Sequence, residues 1–174
     1  MDMNNNDRLI RLRYALDLKE SEMVKIFKLG DVEVTKEEVC QLLTKSKEQE
    51  EFEFFHGDDE EDHLPCSNHQ FESFLNGLIV FKRGKQEPKP GQPETPAMTI
   101  INDKSVNNVM LKKLKIALSL TSEDMIEVLK SAGVEISKGE LSALLRKEGH
   151  KNYKVCGDRY ARNFLKGLAI KYRG

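Results

Sequence analysis

The chain has 174 residues, 39% of them hydrophobic and 33% charged, with a formal net charge of −1. With a mean hydropathy of −0.56 it has enough apolar residues for one modest core or two small ones. Apolar runs such as Leu78-Ile79-Val80-Phe81 are far too short to span a bilayer, and the start Met1-Asp2-Met3-Asn4 lacks the basic and apolar regions of a secretory signal. A protein that is neither membrane-spanning nor secreted is expected. Three well-separated cysteines, Cys40, Cys66 and Cys156, suit a reducing cytoplasm better than a disulfide framework.

In chain order, an Asn-rich start that can cap precedes Leu9, Leu12 and Leu16 at helical spacing. A second segment, from Ser21 to Leu29, sets Met23, Ile26 and Phe27 on one face. A third opens with the capping box Thr35-x-x-Glu38 and turns Val39, Leu42 and Leu43 inward. The fourth runs from about Ser67 to Phe81, with Ser67-x-x-Gln70 at its head and Phe71, Phe74, Leu75 and Leu78 as its apolar row.

The same plan then repeats. At an offset of 102, Asn5-Asn6, Leu9, Leu12, Ala15 and Leu16 meet Asn107-Asn108, Leu111, Leu114, Ala117 and Leu118. Met23, Thr35-x-x-Glu38, Leu42 and Leu43 likewise meet Met125, Ser137-x-x-Glu140, Leu144 and Leu145. About 16 identities fall in roughly 43 positions, where chance gives two or three. At an offset of 90, Cys66 meets Cys156, and Phe74-Leu75-Asn76-Gly77-Leu78 meets Phe164-Leu165-Lys166-Gly167-Leu168. The change of offset places 12 extra residues in the first copy.

The fold expected is therefore all-α: two homologous four-helix modules in tandem, joined by a Pro-rich linker. Residues 1–82 form the first repeat, with an acidic insertion at about 48–63, and residues 104–174 form the second. Residues 83–103 carry Pro88, Pro90, Pro93 and Pro96 and read as an extended connector. Each module is expected to seat its apolar ridges among its own helices. The matching faces also allow a twofold-like pairing of the modules, or a homodimer. Gly77 and Gly167, inside the last helices, are read as points of close helix approach.

Charge is unevenly spread. Residues 48–63 hold nine acids and no base, whereas residues 104–174 hold 15 bases against 7 acids. His63-x-x-Cys66-x-x-His69 invites a zinc reading, but its spacing matches no strong tetrahedral pattern and the second copy lacks both histidines. Cys66 and Cys156 read instead as packed cysteines, and Cys40 is expected to be buried beside Val39. No phosphate-binding loop, nucleophile elbow or zinc-protease motif occurs, so no catalytic residue, metal or cofactor is assigned.

Two binding readings follow. The first is a non-catalytic cytoplasmic protein that binds another macromolecule, in first place a protein, with a regulatory or interaction role. The second is nucleic-acid binding through a helix-turn-helix-like part of the basic repeat, from Met125 to Arg146. Its recognition helix would present Lys138, Ser142 and Arg146, with Lys147 and Lys151 behind, and Lys112, Lys113 and Lys115 would meet phosphates.

Several stretches carry a family resemblance. Ser73-Phe74-Leu75-Asn76-Gly77-Leu78-Ile79, Lys82-Arg83-Gly84-Lys85, Asn107-Asn108-x-x-Leu111-Lys112-Lys113-Leu114, His150-Lys151-Asn152 and Cys156-Gly157-Asp158 resemble the YehS family of uncharacterised bacterial proteins. The resemblance implies tandem copies of one small domain in a bacterial cytoplasmic protein, and it supplies no activity, cofactor or site residue. The acidic segment from Glu48 to His63 looks longer here than the connection usual in that family.

Overall fold

The structure, a computed structural model, describes residues 4–43, 64–84, 100, 103–146 and 150–173. The acidic insertion with His63, most of the Pro-rich linker and Lys147 lie outside the described residues. Within the first copy, α1 spans Asn5–Leu16, α2 Glu20–Leu29, α3 Lys36–Leu42 and α4 Asn68–Arg83. Within the second, a 3₁₀ turn at Asp103–Ser105 leads into α5 Val106–Ala117, followed by α6 Ser122–Ser131, α7 Lys138–Leu145 and α8 Asp158–Arg173. Among the described residues there is no strand, and no helix is long and apolar enough to cross a membrane.

Local chemistry sets where the helices begin. The Asn4 side chain accepts from the Asp7 N–H. Thr35 with Glu38, and Ser67 with Gln70, close reciprocal boxes in which each side chain accepts from the other residue's backbone N–H. Thr121 and Asp124 form a further box, one the sequence reading overlooked. The Ser137 box is only half made: Ser137 Oγ accepts from the Glu140 N–H, but it also donates to the Glu140 carboxylate itself. A Ser, Thr or Asn cap contributes about 1 kcal/mol.

The glycine expectation is met. A Cβ on Gly77 would drive into the Ile26 carbonyl and meet the Gly30 nitrogen at 3.0 Å, and one on Gly167 would drive into the Val128 carbonyl. Helices α2 and α4, and likewise α6 and α8, therefore run backbone against backbone. Gly30 adds a second gap in the first copy, since a Cβ there would strike the Ser73 carbonyl. Its counterpart in the second copy is Ala132, so only α2–α4 uses a glycine from each helix.

The expectation that each module closes on its own helices is corrected. Helix α1 packs chiefly on α8, and α5 chiefly on α4, which packs as closely on α2, whereas α1–α4 and α5–α8 touch only lightly. The copies exchange first helices, and a single core of buried residues runs through both. Apolar matching cannot choose between the two pairings, because Leu9, Leu12 and Ala15 on α1 repeat as Leu111, Leu114 and Ala117 on α5. Charge can. On α4, Glu72 and Asn76 meet Lys113 of α5, with Lys113 Nζ 3.2 Å from Glu72 Oε2. In the same register, α5 packed on its own copy's α8 would set Lys113 against Arg162 and Lys166. Closing within each copy would bury Lys113 among cations, whereas the exchange buries it against a carboxylate and leaves Arg11, the equivalent cation of the other seam, exposed.

Candidate functional site

The four outer helices α1, α4, α5 and α8 all begin at one end of the molecule, around an open cleft of roughly 690 Å³. Both copies line it: Asn4, Asn5, Arg8, Cys66, Ser67 and Asn68 from the first, and Lys104, Asn107, Val155, Cys156, Gly157 and Asp158 from the second. The paired asparagines build its walls. Asn6 Nδ2 donates to the Leu42 and Leu64 carbonyls while Oδ1 accepts from the Cys66 N–H at 2.9 Å. Asn108 repeats this with the Leu144 and Lys154 carbonyls and the Cys156 N–H. Each amide thus fastens the end of the third helix to the segment that starts the fourth.

The neighbouring asparagines face the cleft. Asn5 Nδ2 donates to the Cys66 carbonyl and Asn68 Oδ1, and Asn107 Nδ2 donates to the Cys156 carbonyl and Asp158 Oδ1. Arg8 joins the halves. Its Nε donates to Asn107 Oδ1 at 2.8 Å, its Nη1 to Asn5 Oδ1 at 2.9 Å, and its Nη2 lies 3.7 Å from Asp158. At 5% exposure this guanidinium is a fixed charge at the base of the cleft, set by a planar fork that no lysine could match. The equivalent residue of the second copy is Met110, so one arginine serves both halves.

Cys66 and Cys156 are buried, as expected, and burial pushes each thiol up to about 12. Both are protonated at neutral pH and are poor nucleophiles. The expectation that Cys40 is buried is corrected: α3 turns Val39 and Leu42 inward and leaves Cys40 exposed. His69 is exposed, and among the described residues no three metal-ligating side chains come together.

The residues expected to contact nucleic acid differ in their surroundings. Lys113 is corrected outright. It lies on the inward row Val106, Met110, Lys113, Ala117, is 7% exposed and is paired with Glu72. Burial pushes its ammonium below the usual lysine range, and the Glu72 carboxylate pulls it back. Lys112 and Lys115 flank it at half-buried positions. Lys138, at the start of α7, is held 2.7 Å from Glu123 of α6, which is the other helix of the expected helix-turn-helix. Ser142 and Lys151 are exposed, Arg146 is half-buried with its Nη1 3.5 Å from the His150 ring, and Lys147 lies outside the described residues.

Sequence reasoning missed the Asn pairs and Arg8. The Asn5-Asn6 and Asn107-Asn108 repeat was visible but read only as capping. Arg8 carried a signal too, as a charge where the other copy places Met110.

Comparison with known proteins fits this duplicated plan. A family model described as "Protein of unknown function (DUF1456)" matches residues 5–84 and again residues 107–174. "Uncharacterized protein YehS" of Escherichia coli (strain K12) is 39% identical over 170 residues, covering 97% of this chain and 96% of that one. No solved structure matches.

Proposed function

The chain belongs to the DUF1456 family, and within it we propose that this protein is a non-catalytic binding protein, with another protein as its partner. One observation carries the reading: the cleft has walls from both copies and a charge at its base held by hydrogen bonds from each. Fixed amides and a locked guanidinium suit recognition, where pre-organised polar groups set orientation. They do not suit proton transfer, and the two cleft thiols stay protonated. Val155, 49% exposed, adds an apolar contact on the rim, and Lys104 adds an exposed cation. A partner segment with hydrogen-bonding groups and an apolar side chain fits that combination. The free thiols support a cytoplasmic, reducing setting. Self-association has less to offer, because the outer helices already spend their apolar faces on one another.

The test is affinity capture from the native cell with the wild-type chain and with Lys104→Glu/Val155→Asp, both changes being on exposed rim positions. A protein captured by the wild type and lost from the double variant supports the reading. An unchanged set of captured proteins overturns it. A nucleic-acid reading is favoured by a different surface, described next.

A further inference from the structure

The α4–α5 seam buries Lys113 against Glu72 and Asn76. Its counterpart is the α1–α8 seam, where the two offsets place Arg11 at the position of Lys113, Arg162 at that of Glu72 and Lys166 at that of Asn76. Three cations thus occupy the place where the sister seam neutralises one. Arg11 reaches Asp7 at 3.6 Å on its own helix, with its side chain 42% exposed. Lys166 is exposed and Arg162 half-buried, and neither has an acidic partner among the described residues. Farther along, Arg173 takes Asp17 at 3.0 Å and lies over the Tyr14 ring, 4.3 Å from its centre. Tyr14 itself is 60% exposed.

From these positions we propose that the α1–α8 seam binds the phosphate backbone of a single-stranded nucleic acid. Arg162, Lys166 and Arg173 follow one another at helical spacing along α8, spanning about 16 Å at 1.5 Å per residue. That length faces a few consecutive phosphates of a strand. Arg162 and Lys166, which have no acidic partner among the described residues, and Arg173 beyond them raise a local potential that attracts a polyanion along its length. Tyr14, exposed beside Arg173, offers a ring next to the strand, the pairing of basic track and aromatic platform that suits unpaired bases. Against an acidic protein partner, the exposed apolar side chains here, Tyr14 and Ile170, are fewer than the cations Arg11, Arg162, Lys166 and Arg173. The helix-turn-helix region is not needed, since Lys138 is occupied by Glu123.

The experiment is fluorescence anisotropy of the full chain with a labelled random-sequence single strand, the matching duplex and unlabelled polyglutamate as competitor. Binding to the single strand should weaken by about 20- to 50-fold between about 50 and 200 mM salt, as for three to four neutralised phosphates. Arg162→Glu/Lys166→Glu should cost at least about tenfold in affinity at low salt. The milder Arg162→Gln/Lys166→Gln should weaken binding less, and Lys138→Glu should leave it unchanged. Circular dichroism melts establish that each variant is folded. No binding at low salt, or binding indifferent to both α8 variants, overturns the proposal. So does equal or tighter binding of the duplex, and so does polyglutamate competing as well as the strand, which would assign the seam to an acidic protein.

Discussion

The two outer seams are built from the same ancestral pair of helices and have opposite electrostatic characters. At α4–α5 a lysine is drawn inside and neutralised. At α1–α8 the equivalent arginine stays outside, facing two more cations. Duplication supplied two copies of one packing solution. One copy of the seam was then enough to fix the fold, and the other was left free to carry surface charge. Asymmetry within a repeat protein therefore points to where function can sit, because structure alone would be served by symmetry.

The largest expected contrast comes from cutting one partner at each seam. Glu72→Ala leaves Lys113 buried without its carboxylate and should destabilise by about 3–5 kcal/mol in urea unfolding. The equivalent change at the other seam, Arg162→Ala, should stay within about 0.5 kcal/mol. Comparable losses at both would erase the distinction between the seams.

Backbone contact gives the next largest effect. Gly77→Ala forces α2 and α4 apart and should cost about 1–3 kcal/mol, more than the helix gain from alanine can offset. Gly30→Ala should also destabilise, even though the second copy tolerates Ala132 at that site. A comparable effect is expected from Arg8→Met, which copies the second half onto the first. It strips hydrogen bonds from Asn5 and Asn107 and should cost about 1–3 kcal/mol, read as a lower melting temperature.

The pH response sharpens the comparison in another way, because the buried cysteines are nearly symmetric. The unfolded chain releases the Cys66 and Cys156 protons near pH 9, whereas the folded chain holds them to about 12. Their contribution is present in full below pH 9 and is lost as pH rises through 12. Replacing either by valine should flatten that alkaline decline to a similar degree. Smallest of all, Arg173→Ala removes an exposed ion pair and a ring contact and should cost under about 1 kcal/mol.

Much of the architecture could be read before any coordinates. Helix positions followed from the spacing of Leu9, Leu12, Phe71 and Phe74, their starts from Thr35 and Ser67, and the tight approach from Gly77 and Gly167. The exchange of helices could not be read from apolar pattern, because Leu12 and Leu114 are interchangeable in any pairing. Its legible trace was in charge, from Glu72 facing Lys113. The site was less legible still. Lys113 sits in a run with Lys112 and Lys115 that looks like a basic patch. Only its place on the row with Met110 and Ala117 turns it inward. Arg8 and the asparagines act across 99 residues of sequence, and no local motif announces such a bond.

The reciprocal exchange has a consequence for the covalent link between the copies. Split at the connector and produced as separate polypeptides, each half would present a first helix lacking its companion. Two second halves would bring Lys113 onto Arg162 and Lys166 twice over and should refuse one another, whereas first and second halves should recombine one to one. The connector thus substitutes a high effective concentration for a bimolecular encounter. Severing it should make assembly depend on how much of each fragment is present, a dependence that sedimentation over a dilution series would reveal.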